Sequence, residues 1–410
     1  MPLTSVLPAK GAPRVLAVAT LVNMLGNGLF FTASALYLTR IVGFSVREVG
    51  VGLTIAGLVG LFANVPAGRI AELVGPREVL VAVQVFAGLF MVAYAFVHSF
   101  WVFLIIACGE LVSTNAANAV RNGLIATAVA GEDRVHTRAY LRSVTNLGIG
   151  LGSALAGVAL HVDTRAAYMT LIIADAVTFV VTAALITRLP HVPPLPRDVG
   201  EGPRLVALRD RPYLSLVALN SLLCVHNGLL EIGVPLWVVR HTSAPRAMVA
   251  VIFVLNTAMC VLFQVRASRG VDDLKSSVRA VRRCGVLFLL ACTVYGLTGG
   301  RDRDVAIVLL IVAELIHVTG ELFQAAGSWG IGYGLAPELL QGQYQGLFSM
   351  SYAIANMLAP VIVTTFVVSD GLAGWIGIGV LFLVVAFATG PVGRWAEANR
   401  PALSAAVQPL

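Results

Sequence analysis

Apolar residues form long runs along this chain of 410 residues. Val79 to Val97, for example, is an unbroken apolar segment in which Gln84 is the only strongly polar residue. A helix needs about 20 such residues to cross the hydrocarbon core of a bilayer. The pattern therefore predicts twelve transmembrane helices, called spans 1 to 12 below. They fall near 15–39, 48–66, 79–98, 101–127, 139–160, 167–187, 212–239, 247–265, 283–298, 305–333, 346–368 and 372–392.

Composition agrees with lipid as the main solvent, since 58% of the residues are hydrophobic and 12% are charged. A soluble domain has about a quarter of its residues charged, so an ordinary soluble enzyme is excluded. The longest polar break, 188–211, is rich in Pro, Arg and Asp and divides the runs into two sets of six. We expect an N-terminal six-helix bundle over 1–188, a cytoplasmic central loop over 189–211, and a C-terminal bundle with a short tail over 212–410.

Basic residues indicate the orientation of the spans. Most of the 28 Lys and Arg residues lie in alternate connections, on the side that also holds Lys10 and Arg14. Cytoplasmic loops carry such an excess of positive charge. We therefore expect the protein in the cytoplasmic membrane, with both termini in the cytoplasm. Because the charge is spread over many loops instead of one basic face, nucleic acid is not an expected partner.

A weak internal repeat supports two related halves. A displacement of 200 residues places Asn27-Gly28-Leu29 on Asn227-Gly228-Leu229, and Arg40 on Arg240. Spans 1 and 7 are therefore counterparts. Parallel repeats of this kind occur in secondary transporters, which bind their substrate between the halves.

The turn between spans 2 and 3 reads Gly68-Arg-Ile-Ala-Glu72-Leu-Val-Gly75-Pro-Arg77. This segment resembles the loop signature of the major facilitator superfamily, with Glu72 where that family usually has Asp. The resemblance implies a fold of two pseudo-symmetric six-helix bundles, and a turn whose charged groups hold one conformation through bonds between helices.

Span 5 contains a glycine-rich stretch that is similar to the superfamily signature accompanying proton-driven antiporters. Ser153 occupies the position of that signature's proline, so symport stays open beside antiport. Small residues also allow close packing of helices in a membrane. The predicted conformational residues of the turn and of span 5 are Gly68, Glu72, Gly75, Arg77, Gly148, Gly152 and Gly157.

Polar residues inside the spans follow helical phase. In span 10 Glu314, His317, Glu321 and Gln324 are spaced three, four and three residues apart, which keeps them on one face. Charged side chains are costly in a bilayer and are expected to face a cavity, pair, or carry a proton. Spans 1, 4 and 7 have similar polar faces, and the resemblance places spans 1, 4, 7 and 10 around a central cavity. The predicted proton-coupling residues are Glu231, Glu314, Glu321, His317 and Glu110. The predicted substrate contacts are Asn23, Asn27, Phe30, Asn118, Arg121, Asn227, Trp237 and Gln324.

The leading hypothesis is therefore an alternating-access, proton-coupled exporter of small amphiphilic compounds, resembling bacterial drug-efflux members of the superfamily. A proton symporter or facilitator that imports a polar nutrient, and a membrane sensor of the same fold, are the alternatives. No phosphate-binding loop or zinc-enzyme motif occurs in the sequence, and the five cysteines have no metal-ligand spacing. No enzyme activity, cofactor or metal is expected. The expected partners are lipid, a small-molecule substrate and protons, with the protein a monomer.

Overall fold

A computed structural model describes residues 11–129, 133–162, 164–191, 193–194, 205–363, 365–366 and 371–407. Residues 1–10, part of the predicted central loop and residues 408–410 lie outside these ranges. All regular elements of the described part are helical. The α-helices are α1 Ala12–Leu36, α2 Val46–Leu61, α3 Asn64–Val74, α4 Pro76–Tyr94, α5 Phe100–Ala128, α6 Asp133–Val162, α7 Arg165–Ile186, α8 Arg211–Gly228, α9 Val234–His241, α10 Met248–Ala267, α11 Leu274–Leu297, α12 Arg303–Leu335, α13 Gln341–Val363 and α14 Gly371–Val407.

Two of the predicted spans are interrupted. Span 2 consists of α2 and α3, which are bent by 42° relative to each other. Span 7 consists of α8 and α9, joined by a π-helical turn, Leu229–Gly233, and a second π-helical turn, Tyr37–Ile41, follows α1. Such turns are rare inside helices and are frequent at functional sites.

The all-α membrane fold is confirmed. In the described residues ten single helical segments are long and apolar enough to cross a membrane, and the bent pair of α2 and α3 would make an eleventh. The remaining predicted span, span 5, coincides with α6, whose first turns carry charged residues such as Arg134, Arg138 and Arg142.

The chain forms two compact units. The first unit holds the chain up to Ala207 and also Glu338–Ser349, which includes the start of α13. The second unit holds Leu208–Pro337 and the chain from Met350 onward. The division into 1–188, 189–211 and 212–410 stays a prediction.

Equivalent helices have equivalent neighbours within each unit. In the first unit α4 packs on α5 and α7, and in the second unit α11 packs on α12 and α14. The glycines of the sequence repeat lie at matching close approaches. A Cβ on Gly28 would lie 2.4 Å from the Ile149 carbonyl oxygen of α6, and a Cβ on Gly228 would lie 2.2 Å from Ala359 Cβ of α13. Only glycine fits at such distances, so both positions let two backbones pack closely.

Candidate functional site

The polar face of α12 lies inside the second unit. Its five polar side chains are all buried, with relative exposures of 0% for Glu314, 1% for His317, 4% for Glu321, 2% for Gln324 and 5% for Ser328. The spacing of three and four residues had predicted one shared face, and these side chains do face the interior of the unit together. Two of the predicted proton-coupling carboxylates are therefore withdrawn from both water and lipid.

Each buried carboxylate of α12 accepts a hydrogen bond from a neutral group on another helix. The Tyr295 hydroxyl of α11 donates to Glu314 Oε2 over 2.6 Å. The Asn256 amide of α10 donates to Glu321 Oε2 over 2.9 Å, and Cys260 Sγ lies 3.7 Å from Glu321 Oε1. Neutral donors stabilise a carboxylate without cancelling its charge, so the charged form stays costly in this interior.

His317 lies between the two carboxylates on the same helix face. Its Nδ1 is 3.9 Å from Glu314 Oε2, and neither ring nitrogen has a hydrogen-bond partner within 3.5 Å. The imidazole packs against the Phe288 ring of α11, with a centroid separation of 5.3 Å and an interplanar angle of 25°. A buried polar ring without a hydrogen bond is uncommon and calls for a physical reason.

His226 of α8 completes this cluster and was missed by the sequence reasoning. Its ring centroid lies 5.3 Å from that of His317 and 4.7 Å from that of Phe288, and the side chain is 1% exposed. Asn227, the predicted substrate contact beside it, places its Nδ2 3.3 Å from His226 Nε2. The sequence could have identified His226 by the criterion that selected His317, a titratable residue within a predicted span.

The C-terminal end of the α12 polar face forms hydrogen bonds with α8. Gln324 Nε2 donates to Asn220 Oδ1 over 3.1 Å, and the Ser328 hydroxyl donates to the same oxygen over 2.7 Å. This network joins α12 to α8 through buried groups. Gln324, a predicted substrate contact, is engaged in structural hydrogen bonds here.

The other predicted residues of the second unit lie in different surroundings. Glu231 is exposed and lies in the π-helical turn between α8 and α9. Trp237 of α9 is 3% exposed, and its Nε1 donates to Thr298 Oγ1 over 2.8 Å while its ring stacks on His241 at 4.4 Å. Neither residue belongs to the α12 cluster.

Three of the predicted residues of the first unit lie in partly exposed surroundings. Asn27, Phe30 and Glu110 are partly exposed, and Glu110 accepts a hydrogen bond of 2.9 Å from Thr114 of its own helix. Phe30 packs on Tyr94 with a centroid separation of 4.9 Å.

The remaining polar candidates of this unit lie on α1 and α5. Asn23 is 6% exposed, and its Nδ2 has no hydrogen-bond partner. On α5 the Arg121 Nη2 donates to Asn118 Oδ1 over 2.5 Å, and both side chains are partly exposed. Half-buried polar and aromatic groups of this kind are accessible to a small molecule, whereas the α12 cluster is enclosed.

The signature segment was predicted as a turn, but residues 68–74 belong to helix α3, and Gly75 alone separates α3 from α4, which begins at Pro76. The segment contacts Glu338–Ser349 within the first unit. Glu72 Oε1 accepts a hydrogen bond of 2.8 Å from the Gln343 backbone N–H, and Glu72 Oε2 accepts one of 2.9 Å from the Gln343 side chain. Arg69 Nη1 lies 3.3 Å from the same Oε2. A Cβ on Gly68 would lie 2.1 Å from the Gly342 carbonyl oxygen, so glycine is required for this contact.

Gly75 and Arg77 lie at the connection between α3 and α4. Gly75, with φ of 115°, ends α3 and precedes α4 in a conformation that favours glycine. Arg77 donates to Glu78 Oε1 over 3.0 Å and to the Leu189 carbonyl oxygen over 3.2 Å. The turn is thus a network of hydrogen bonds, with Arg77 facing the start of the central loop.

The glycines of α6 differ in what they contact. A Cβ on Gly152 would lie 2.1 Å from the Leu25 carbonyl oxygen, and a Cβ on Gly148 would lie 2.8 Å from Met24 Cβ. Both glycines therefore permit the close approach of α6 to α1. Gly157 has nothing within 4 Å of the position of its Cβ, so close packing with the described residues does not require glycine there.

The all-helical fold, the apolar spans, the buried carboxylates and the signature turn together define a secondary transporter of the membrane. A family model described as "Major Facilitator Superfamily" matches residues 16–360, and the chain belongs to that family. It is 22% identical over 372 residues to the uncharacterized MFS-type transporter YdeE of Escherichia coli, covering 88% of this chain and 90% of that protein.

Solved structures show the same fold at low sequence identity. A bacterial homologue of the iron transporter ferroportin, in an outward-facing state, is 15% identical with a TM-score of 0.74, covering 94% of this chain and 99% of that one. The fucose:proton symporter of E. coli is 11% identical with a TM-score of 0.70, covering 93% and 98%. At these identities the likeness concerns the fold alone.

Proposed function

We propose that this transporter exports small amphiphilic compounds across the cytoplasmic membrane in exchange for protons, by alternating access. The observation that carries the proposal is the pair of buried carboxylates on α12. Glu314 and Glu321 have a tyrosine hydroxyl and an asparagine amide as hydrogen-bond donors. A carboxylate at the centre of a bilayer costs about 2.5–3.5 kcal/mol when charged, so uptake of a proton favours the burial of these side chains.

Such a carboxylate couples the proton flux to the substrate flux, because the proton and the substrate compete for it. The protonated form is compatible with burial, and the charged form requires that the surroundings open to water or to a cationic group. A proton that moves inward releases about 2.3 kcal/mol per 100 mV of membrane potential, which corresponds to roughly a 50-fold gradient of a neutral substrate. The proton gradient therefore supplies enough free energy for uphill transport.

The substrate class is inferred from those predicted contact residues that are partly exposed. Trp237 and Gln324 are engaged in hydrogen bonds inside the second unit. Phe30 and Asn27 of α1, and Arg121 with Asn118 of α5, are partly exposed. One aromatic ring with few directed polar groups suits an amphiphilic compound better than a sugar, which needs many oriented hydrogen bonds.

The proposal is tested with everted membrane vesicles from cells that make the protein, loaded by respiration with a proton gradient. Lipophilic cationic and neutral fluorescent compounds should accumulate inside these vesicles, and an uncoupler should release them. Accumulation that survives the uncoupler would contradict proton coupling. Uptake in right-side-out vesicles alone would identify an importer, and the absence of any flux would favour a sensor.

A matched pair of variants tests the role of the α12 carboxylate. Glu314→Gln keeps the shape of the side chain and its contact with Tyr295 but cannot release a proton. We expect uphill accumulation to fall at least about tenfold, which corresponds to about 1.4 kcal/mol, while downhill flux persists. Glu397→Gln, an exposed position in α14, is the control and should transport normally. Normal uphill transport by Glu314→Gln would remove this residue from the mechanism.

A further inference from the structure

The geometry points to a binding site for one divalent transition-metal ion formed by His226, His317 and Glu321 in the second unit. One ligand atom from each of these three side chains lies within 4.8 Å of the other two. This inference goes beyond proton-coupled export but shares Glu321 with it, since a bound metal ion would hold that carboxylate in its charged form.

The chemistry of the three side chains is that of a transition-metal site. Two imidazoles and one carboxylate form a set that binds Zn²⁺ in proteins, and imidazole also suits Co²⁺, Ni²⁺, Cu²⁺ and Fe²⁺. Hard cations such as Mg²⁺ and Ca²⁺ prefer oxygen ligands alone and are not expected here. The expected ligand is therefore a late first-row divalent metal.

The backbone places the three groups for joint coordination. His317 and Glu321 are four residues apart on α12, which puts them on one helix face, and His226 approaches from α8. Bonds of about 2.0–2.2 Å in a tetrahedral site put ligand atoms roughly 3.3–3.5 Å apart. The three ligand atoms lie within 4.8 Å of one another, so a small inward rotation of the side chains would close them around an ion.

The surroundings resemble the outer shell of a metal site. Asn256 donates a hydrogen bond of 2.9 Å to Glu321 and so holds the carboxylate in place. Phe288 packs against both imidazoles, at centroid separations of 4.7 Å and 5.3 Å. Hydrogen bonds and packing of this type fix the orientation of metal ligands.

The burial of His317 and the lack of hydrogen bonds to its ring are a second, independent observation. Its side chain is 1% exposed, and both ring nitrogens lack a hydrogen-bond partner. A histidine buried only for packing would be expected to satisfy at least one nitrogen. A metal ion bound between His317 and Glu321 would supply the missing partner.

The site is tested by metal titration of the purified full-length protein in detergent after removal of bound metal. We expect about one Zn²⁺ per chain. The variants His226→Gln, His317→Gln and Glu321→Gln should each weaken Zn²⁺ binding at least about tenfold. His98→Gln and His191→Gln change exposed histidines outside the site and should bind as the parent protein does. Equal binding by the parent and by all three site variants would overturn the proposal.

A second measurement needs no variant and therefore does not depend on whether the variants fold. Co²⁺ added to the parent protein should give the visible absorption of a four-coordinate nitrogen and oxygen site, and Zn²⁺ should displace it. X-ray absorption of the Zn²⁺ form should show two imidazole ligands. A spectrum like that of hydrated Co²⁺, or a zinc ion without imidazole ligands, would refute the site even if proton-coupled export were established.

Discussion

The two units have similar helix neighbours but differ in the surroundings of an acidic residue on the matching helices α5 and α12. In the first unit Glu110 of α5 is partly exposed and accepts a hydrogen bond from Thr114 of its own helix. In the second unit Glu314 of α12 is fully buried and accepts one from Tyr295 of α11. The α4 counterpart of Tyr295, Tyr94, packs its ring on Phe30 at 4.9 Å. The first unit also holds a fully buried acid, Asp175 of α7, close enough to Glu110 for their charges to interact. Both copies of the framework thus enclose ionisable groups, and the second copy pairs its carboxylates with the buried histidines His226 and His317.

The connecting turns show a second difference. In the first unit Glu72 accepts hydrogen bonds from Gln343, a residue far away in the sequence. In the second unit Asp273 accepts from Ser276 and caps its own helix α11 in a capping box. The same type of side chain therefore holds distant elements together in one turn and stabilises a helix end in the other. A local sequence pattern alone does not tell these roles apart.

The largest expected effect separates the two acidic residues. Glu110→Gln should reduce uphill transport by less than about tenfold, because its hydrogen-bond donor Thr114 lies on its own helix, whereas Glu314 is bonded to a neighbouring helix. Glu314→Gln should reduce it by more. The measurement is substrate accumulation in everted vesicles at matched protein levels. Equal losses in the two variants would mean that both units take part in coupling.

The next effect concerns the two turns. Glu72→Ala leaves the Gln343 donors without their charged acceptor and should lower the free energy of unfolding by about 1.5–3 kcal/mol. Asp273→Ala removes only an exposed helix cap and should have a smaller effect, seen as a smaller drop in the midpoint temperature of unfolding in detergent. A Gln343→Ala variant that is as stable as the parent would contradict the role given to Glu72.

The loss of stability caused by Asp273→Ala should also depend on pH. Hydrogen bonds from the Ser276 hydroxyl and backbone N–H hold the pKa of the Asp273 carboxyl below its ordinary value. A lowered pKa in the folded state stabilises the protein fully above the pKa of the unfolded chain, and this contribution disappears as the pH falls through the lower folded value. The difference between parent and Asp273→Ala should therefore vanish in acid.

The smallest effects test the pseudo-symmetry itself. Gly28→Ala and Gly228→Ala each force a methyl group against a neighbouring helix and should cost about 1–3 kcal/mol of stability. Gly150→Ala has nothing within 4 Å of the added methyl group and should be neutral or slightly stabilising, since alanine favours helix by up to about 1 kcal/mol over glycine. Destabilisation by only one of the paired variants would show that the two close approaches are not equivalent.

Much of the molecule was predictable from local sequence. The apolar runs predicted the membrane helices, because about 20 apolar residues in a row have few other stable environments. The spacing of Glu314, His317 and Glu321 predicted their shared face. Gly68 and Glu72 carried the resemblance to the family within a short segment of the sequence. These features depend on hydrophobicity and on the period of the helix, which a sequence contains directly.

Partners contributed by other helices were not predictable in the same way. Tyr295 is 19 residues from Glu314, and Asn256 is 65 residues from Glu321, so no local pattern links them. His226 faces His317 only because α8 packs beside α12. Gln324 likewise has a partner that no local pattern links to it, since it donates to Asn220 of α8.

The sequence by itself determined the class of protein, the helices and the position of the ionisable groups along them, since these follow from the exclusion of charge from lipid and from a period of 3.6 residues. The tertiary structure alone decided which of those groups are enclosed and which lie open. Burial and hydrogen bonding depend on the side chains that neighbouring helices supply, and those contacts are set by packing between residues far apart in the chain.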